Sequence, residues 1–259
     1  MNVATYEFES EYVDILPLGD LHLGSEESMF DKAVEFVENN PEAKIILLGD
    51  LVDNAIWESL GDVYSQVTNP HGALETIANF LTTFKDRILG VVGGNHERRT
   101  WRKVGVDPIS LLCSQLQIPY ADDLLVLDIG IKGKSSFRGS KRRTHYAIAC
   151  HHGGAGGRFP EKSIRQHRYF QSMVSNVDIY ITGHTHVPQA SMTAVYEYDP
   201  RNKNITIRNM QHITIPAWTQ EKYARQKLLP PSPATVLILR LYASKEKKHE
   251  VFMKSRREV

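Results

Sequence analysis

Apolar runs alternate with amphipathic stretches through the first 185 residues of the chain. YVDILPLGD (12–20) is a mostly apolar run closing on Asp20, and AKIILLGD (43–50) is a second closing on Asp50. RILGVVGGNHE (87–97) gives a third run and its loop; all three read as buried strands. Between the first two, SMFDKAVEFVENN (28–40) sets Phe30, Val34 and Val37 at helical spacing, with Ser28 and Asp31 as an expected capping pair. HGALETIANFLTTFKD (71–86) predicts an amphipathic helix, and DPISLLCSQL (107–116) a helix opened by Asp-Pro.

The rhythm then shifts toward β-structure. DLLVLDIGI (123–131) and THYAIAC (144–150) read as strands separated by KGKSSFRGSKRR, a basic loop rich in Gly and Ser. EKSIRQHRYFQSMVSN (161–176) reads as a helix and VDIYITG (177–183) as a strand. Four more strand-like segments follow, at 189–200, 204–215, 234–243 and 249–255. Strand–helix–strand units leading into continuous β-structure predict an α/β sandwich, sheets inside and helices outside. No internal repeat or long linker divides the chain, so a single domain over 1–259 is expected.

Composition adds bounds rather than a function. With 41% hydrophobic and 24% charged residues, the 259-residue chain has ordinary globular make-up. Its N-terminus carries four acidic residues and no basic one before Asp20, unlike a secretory signal, and no apolar run reaches bilayer-spanning length. Only Cys113 and Cys150 occur, which makes no disulfide framework and fits a reducing, cytoplasmic setting without a membrane. Net charge is +1 but uneven: −14 over residues 1–97, +9 over 98–168 and +6 beyond. An acidic first third suits cations, and a basic middle suits an anionic substrate, although solvated helix faces carry part of both.

In open α/β sheets, function gathers in the loops beyond the carboxyl ends of strands. Five predicted strand ends carry metal-type side chains: Asp20 and His22 in GDLHLG, Asp50 and Asp53 in GDLVDN, Asn95 and His96 in GGNHE, His151 and His152 in CHHGG, and His184 and His186 in TGHTH. Singly, each is commonplace, because Asp after Gly often caps a helix and a lone His is usually structural. Together they hold six of the eleven histidines, each following an apolar run.

These motifs resemble the signature of the calcineurin-like metallophosphoesterases: Asp20-Leu-His22, Gly49-Asp50-Leu-Val-Asp53, Gly94-Asn95-His96-Glu97, His151, and Gly183-His184-Thr-His186. The resemblance covers 20–186. It implies a four-layer α/β/β/α sandwich of two mixed β-sheets flanked by helices, with strands in 187–259 completing the second sheet. It also implies two divalent ions, with Asp50 bridging them. Asp20, His22 and His186 would complete one ligand set, and Asn95, His151 and His184 the other. Water between the ions would then be available as hydroxide to attack phosphorus near neutral pH. Carboxylate, amide and imidazole donors without Cys suit Mn²⁺ first, with Fe, Zn, Ni and Mg as alternatives. His96 would contact the phosphate and assist the leaving oxygen, while Asp53 orients its far nitrogen or, alternatively, caps a helix. Glu97 is expected at the surface or in a supporting position. Family members usually continue the ligand as H-x-G or H-x-P, which selects His151 and leaves His152 lining the pocket; the reverse assignment stays open.

The resemblance also bears on substrate. Family protein phosphatases place Arg directly after the second motif, where this chain has Asn54, so a phosphoprotein is a weaker expectation. The opening followed by Leu23-Gly24 is closer to nuclease and phosphodiesterase members. Arg98, Arg99, Arg102 and Lys103 follow the third motif, and GGAGGR (153–158) ends in Arg158. That Gly-rich loop either brings amides to a phosphate or acts as a hinge. Arg98, Arg99, His152 and Arg158 are thus expected substrate contacts. The expected substrate is a phosphodiester of DNA or RNA, or a nucleotide. The alternatives are a small-molecule phosphatase or cyclic-nucleotide phosphodiesterase, and, further off, a protein phosphatase or a non-catalytic interaction protein. Oligomeric state is open, a homodimer included.

Overall fold

In the computed structural model, the described residues are 1–57, 63–133, 143–154, 157–220, 222–226, 228–244 and 247–256. The basic loop expected at 132–143 and the middle of the Gly-rich loop at 153–157 lie largely outside them. Twelve strands are described: Asn2–Glu9 (β1), Tyr12–Leu18 (β2), Lys44–Leu48 (β3), Ile88–Val92 (β4), Tyr120–Ala121 (β5), Leu124–Lys132 (β6), Thr144–His151 (β7), Ile179–Thr182 (β8), Gln189–Asp199 (β9), Asn204–Thr214 (β10), Thr235–Tyr242 (β11) and His249–Ser255 (β12). The helices are Phe30–Glu38 (α1), Pro70–Phe84 (α2), Glu97–Val104 (α3), Pro108–Leu116 (α4), Pro160–Met173 (α5) and Lys222–Gln226 (α6).

The strands form two six-stranded mixed sheets, ordered β1-β6-β7-β8-β10-β9 and β12-β11-β2-β3-β4-β5. Strand alternation decides how the layers stack. Val13 and Ile15 of β2, with Ile46 and Leu48 of β3, face Leu125, Leu127, Ile148, Ile179 and Ile213 of the other sheet. The intervening Leu16, Leu18, Ile45 and Leu47 face outward onto Phe30 and Phe36 of α1, Ile77 and Leu81 of α2, and Ile109 of α4. On the opposite outer face, Ala149 and Tyr180 pack against Phe170 of α5. Apolar residues on both faces of the central strands explain why their sequences read as continuous runs. The outcome is the expected α/β/β/α sandwich.

Helix starts follow local chemistry. Asn69 caps α2 by accepting from Gly72 N, with Pro70 in the first turn, and Asp107 caps α4 by accepting from Ser110 N. The capping expected at α1 is not formed: the Ser28 hydroxyl donates to Leu21 O, and Met29 precedes the helix without a side-chain cap. Residues 187–259 also depart from expectation. They do not complete one sheet; β9 and β10 extend the first and β11 and β12 the second. Among the described residues, no helix is long and apolar enough to cross a membrane.

Candidate metal centre

β2, β3, β4, β7 and β8 point their carboxyl ends to one rim, and their exit loops converge there. The turns are sharp. Asp20, His22, Asp50, Asn54, His184 and His186 all take positive φ, between 45° and 69°, a region costly for residues with a Cβ. Gly94 is required by proximity, since a Cβ on it would lie 2.2 Å from Asp50 N.

The converging side chains form three overlapping groups whose donor atoms lie within 4.8 Å of one another: Asp20, His22 and His186; His22, Asp50 and His96; and Asp50, His152 and His184. Asp50 is central. Its Oδ2 lies 3.4 Å from His152 Nε2, 3.8 Å from His22 Nε2 and 3.7 Å from His96 Nε2, while Oδ1 accepts from His96 N. Asn95 Oδ1 is 3.0 Å from His152 Nε2, which in turn lies 3.3 Å from His184 Nδ1. His186 Nε2 is 3.4 Å from Asp20 Oδ1, and Asp20 Oδ2 accepts from His184 N.

The expectation for His151 is corrected by this geometry. β7 alternates, so His151 and His152 leave on opposite sides. His151 sits edge-on to Phe170 and accepts from Gly153 N, away from the cluster. His152 is the histidine beside Asp50, its Nδ1 bonded to Leu48 O at 2.6 Å, which turns Nε2 into the site. Sequence position could not separate the two, because register decides which side each faces.

Around the other expected residues the picture is mixed. His96 Nδ1 lies 2.7 Å from Asp53 O and 3.2 Å from Asp53 Oδ1, but the same carboxylate is also 3.3 Å from His22 Nδ1. Gln66 and Asn54 brace this corner: Gln66 donates to Asp53 Oδ2, and Asn54 donates to His96 O and Thr100 Oγ1. Arg99 reaches His96 Nε2 at 2.9 Å and Asp53 O, and the largely buried Arg158 lies 3.2 Å from His186 Nδ1. Arg98 turns away to Asp122. Glu97 is not at the surface. Fully buried, it accepts from Asp50 N, Leu51 N and Gly94 N, tying the second motif to the third.

Electrostatics here are dense. Burial pushes the carboxyl of Asp20 up, but His186 and His152 override it and hold it down at about 2. Asp50 and Asp53, also opposed by burial, are held well below the usual carboxylate range by facing imidazoles. Burial disfavours a charged His152, yet Asp50 and Asp20 raise it to about 10; His22 is raised by Asp53 and Asp50 against the same burial. His184 is lowered by burial and by His152. Buried carboxylates thus face imidazoles, and at His152 they favour the charged ring; divalent cations can supply that counter-charge instead. Asp20 Oδ1 and His22 Nε2 are buried, make no hydrogen bond, and belong to the same donor group. Carboxylate, imidazole and amide donors without sulfur therefore fit a pair of borderline-to-hard divalent ions.

The model of the calcineurin-like phosphoesterases matches residues 14–188. Among solved structures, YfcE, a phosphoesterase from E. coli, aligns at 14% identity and TM-score 0.45, covering 94% of this chain and 99% of that one. A metallophosphoesterase from Sphaerobacter thermophilus aligns at 14% identity and TM-score 0.40, covering 93% of this chain and 87% of that one. No curated protein matches the chain in sequence.

Proposed function

The chain belongs to the calcineurin-like phosphoesterases and is a metal-dependent hydrolase of phosphoester bonds; on that premise we propose that it is a phosphodiesterase acting on nucleic acid or nucleotides. The observation that carries the substrate reading is the helix leaving the third motif. α3 starts immediately after His96 and presents Arg102 and Lys103 with an exposed Trp101, while Arg99 turns inward to the reacting centre; the expected contact from Arg98 is given up to Asp122. Cations beside an exposed indole suit a polyanion whose bases can stack.

Asp20, His22, His186 and Asp50 would hold one ion, and Asp50, Asn95, His152 and His184 the other. Mn²⁺ is the ion proposed. Bound there, two divalent ions supply a water of lowered pKa and positive charge opposite the phosphoryl oxygens. The protein's own groups do the rest. Leu48 O fixes the His152 ring through Nδ1–H, leaving Nε2 for the ion, and Glu97 locks the loop carrying Asp50. Arg99 can only donate, so its contact makes His96 Nε2 an acceptor and assigns the hydrogen to Nδ1, facing Asp53 O. A phosphoryl oxygen entering here takes over the N–H of Arg99. Nε2 would then be free to take a proton from solvent and pass it to the leaving oxygen, which departs as the alcohol, while Asp53 holds the ring through Nδ1–H. Arg158, beside His186, would meet the substrate from the opposite side.

Cys113 and Cys150 are both free and buried, which supports a reducing, cytoplasmic setting as part of the proposal. One panel tests the reading: Mn²⁺-loaded protein with a single-stranded oligonucleotide, a cyclic nucleotide, an aryl phosphodiester and an aryl phosphomonoester. The oligonucleotide is expected to be cleaved with the highest kcat/KM, and raised salt is expected to increase its KM. Preference for the monoester or the cyclic nucleotide would replace the nuclease reading with a small-molecule one.

A further inference from the structure

β9 and β10 form a hairpin that outgrows the sheet. β10 pairs with β8 only over Gln211–Thr214, whereas its pairing with β9 continues to Asn204 opposite Asp199. Seven residues at about 3.4 Å each carry the ribbon about 24 Å past the last residue that β8 supports. Its direction follows from the parallel β8–β10 pairing: the ladder reaches the metal rim at Thr214, so the ribbon's tip points away from that rim.

Register sorts its side chains. Tyr198 lies opposite Ile205, Tyr196 opposite Ile207, Ala194 opposite Asn209 and Met192 opposite Gln211, all on one face. This is the face that β10 turns to the core between the sheets at Ile213 and Ile215. Cover from the opposite sheet is described as far as His249, 3.4 Å from Gln211. Beyond it Tyr196 is 80% exposed, Ile205 67%, Ile207 64%, Tyr198 63% and Met192 60%. The other face carries the charges and is anchored: Arg208 bonds Glu197 and Asn176 and lies 3.6 Å from Asp178, and Met210 packs with Phe170 and Tyr180.

A two-stranded ribbon is marginal in water by itself, and a contiguous apolar face of this size marks an interface. We propose that this face pairs with the same face of a second copy, making the protein a homodimer through its β9–β10 ribbons. Three observations select that occupant. Among the described residues, the face carries no formal charge between Met192 and Tyr198 or between Ile205 and Gln211, because Glu197, Asp199 and Arg208 all lie on the opposite side; the ribbon itself offers a polyanion no cation on this face. A charge-free hairpin face can meet itself across a two-fold axis without like-charge contact. Finally, the five large side chains together expose roughly 500–800 Å² per copy, at about 150–250 Å² for each large side chain. With the flanking residues this approaches the roughly 800 Å² per partner of a stable interface.

Sedimentation velocity on the full-length metal-loaded protein from 0.5 to 50 µM, as an order of concentration, is the test. The wild type is expected to be a dimer. Ile207→Lys is expected to weaken it at least about 100-fold while leaving turnover per site unchanged, since Ile207 lies far from the metal rim. Thr206→Lys, on the opposite face, is expected to leave the dimer intact. A wild type monomeric up to 50 µM, or a dimer that survives Ile207→Lys, overturns the proposal. Should Ile207→Lys fail to fold, hydrogen exchange of residues 192–209 in the wild type decides. Protection rising with protein concentration supports the dimer, and protection independent of concentration overturns it.

Discussion

His96 shows how little separates a ligand from an acid at this centre. It shares a donor group with His22 and Asp50, yet Nδ1 is occupied by Asp53 O and Nε2 by Arg99. His96→Ala is therefore expected to retain metal, measured by elemental analysis, while turnover falls about 10²–10⁴-fold; loss of one ion per chain would reassign His96 as a ligand. His167 is a contrasting residue. Buried on the inner side of α5 and bonded to Thr214 Oγ1, it is held down at about 3 by burial and by neighbouring His212. A depressed folded pKa means that this stabilisation is complete above the unfolded value of about 6.5 and declines as pH falls toward 3. Between pH 7 and pH 5 the wild type is expected to lose about 2 kcal/mol more than His167→Gln, read from urea unfolding at each pH. The strand-end motifs made the gathering of Asp20, His22, Asp50, Asn95, His184 and His186 at one rim legible in the sequence, while their service as ligands belongs to the proposal. The choice between His151 and His152, and the burial of Glu97, were not readable, because both depend on which side of a strand end the side chain leaves.

Elements were most legible where burial or capping leaves a local mark. The runs ending at Asp20 and Asp50 and the helix after Asp107 sit where the apolar pattern puts them. β1 escaped notice because it lies at a sheet edge, paired only with β6, and its half-exposed residues form no apolar run. α3 was hidden for the opposite reason: ERRTWRKV has scarcely any apolar face, buries only Glu97, and closes on Gly105 in the left-handed region. The Asp107 cap gives an element-level test. Its carboxylate accepts from Ser110 N at the start of α4 and from the Tyr120 hydroxyl at β5. Asp107→Ala is expected to lower unfolding free energy by about 1–3 kcal/mol by denaturant titration, with kcat per site unchanged.

Across the whole molecule, two sheets share one apolar interior, and the rim where their strands end gathers the buried carboxylates of Asp20 and Asp50 among five imidazoles. Cations bound only by the folded form stabilise it in proportion to their concentration. Adding Mn²⁺ at about 100 times its dissociation constant is expected to add about 2.7 kcal/mol per site. Differential scanning calorimetry should record a higher melting temperature that chelation reverses; an unchanged melting temperature would argue against cations at this cluster. The sandwich could be anticipated because each layer repeats one period along the chain. The projecting ribbon could not, since its alternation resembles that of any half-buried strand until the absence of a covering sheet is seen.

The left-handed turns at the rim set catalysis against robustness. Asp20, His22, Asp50, His184 and His186 hold a backbone conformation that glycine adopts freely, so the chain forgoes cheaper residues at five places to keep its donors aimed. Exchanging His186 for glycine should relax its turn, giving a chelator-treated protein that melts no lower than the parent although its turnover has collapsed. Mutational drift toward sturdiness would thus erode this enzyme from its rim inward, sparing the architecture long after the chemistry had gone.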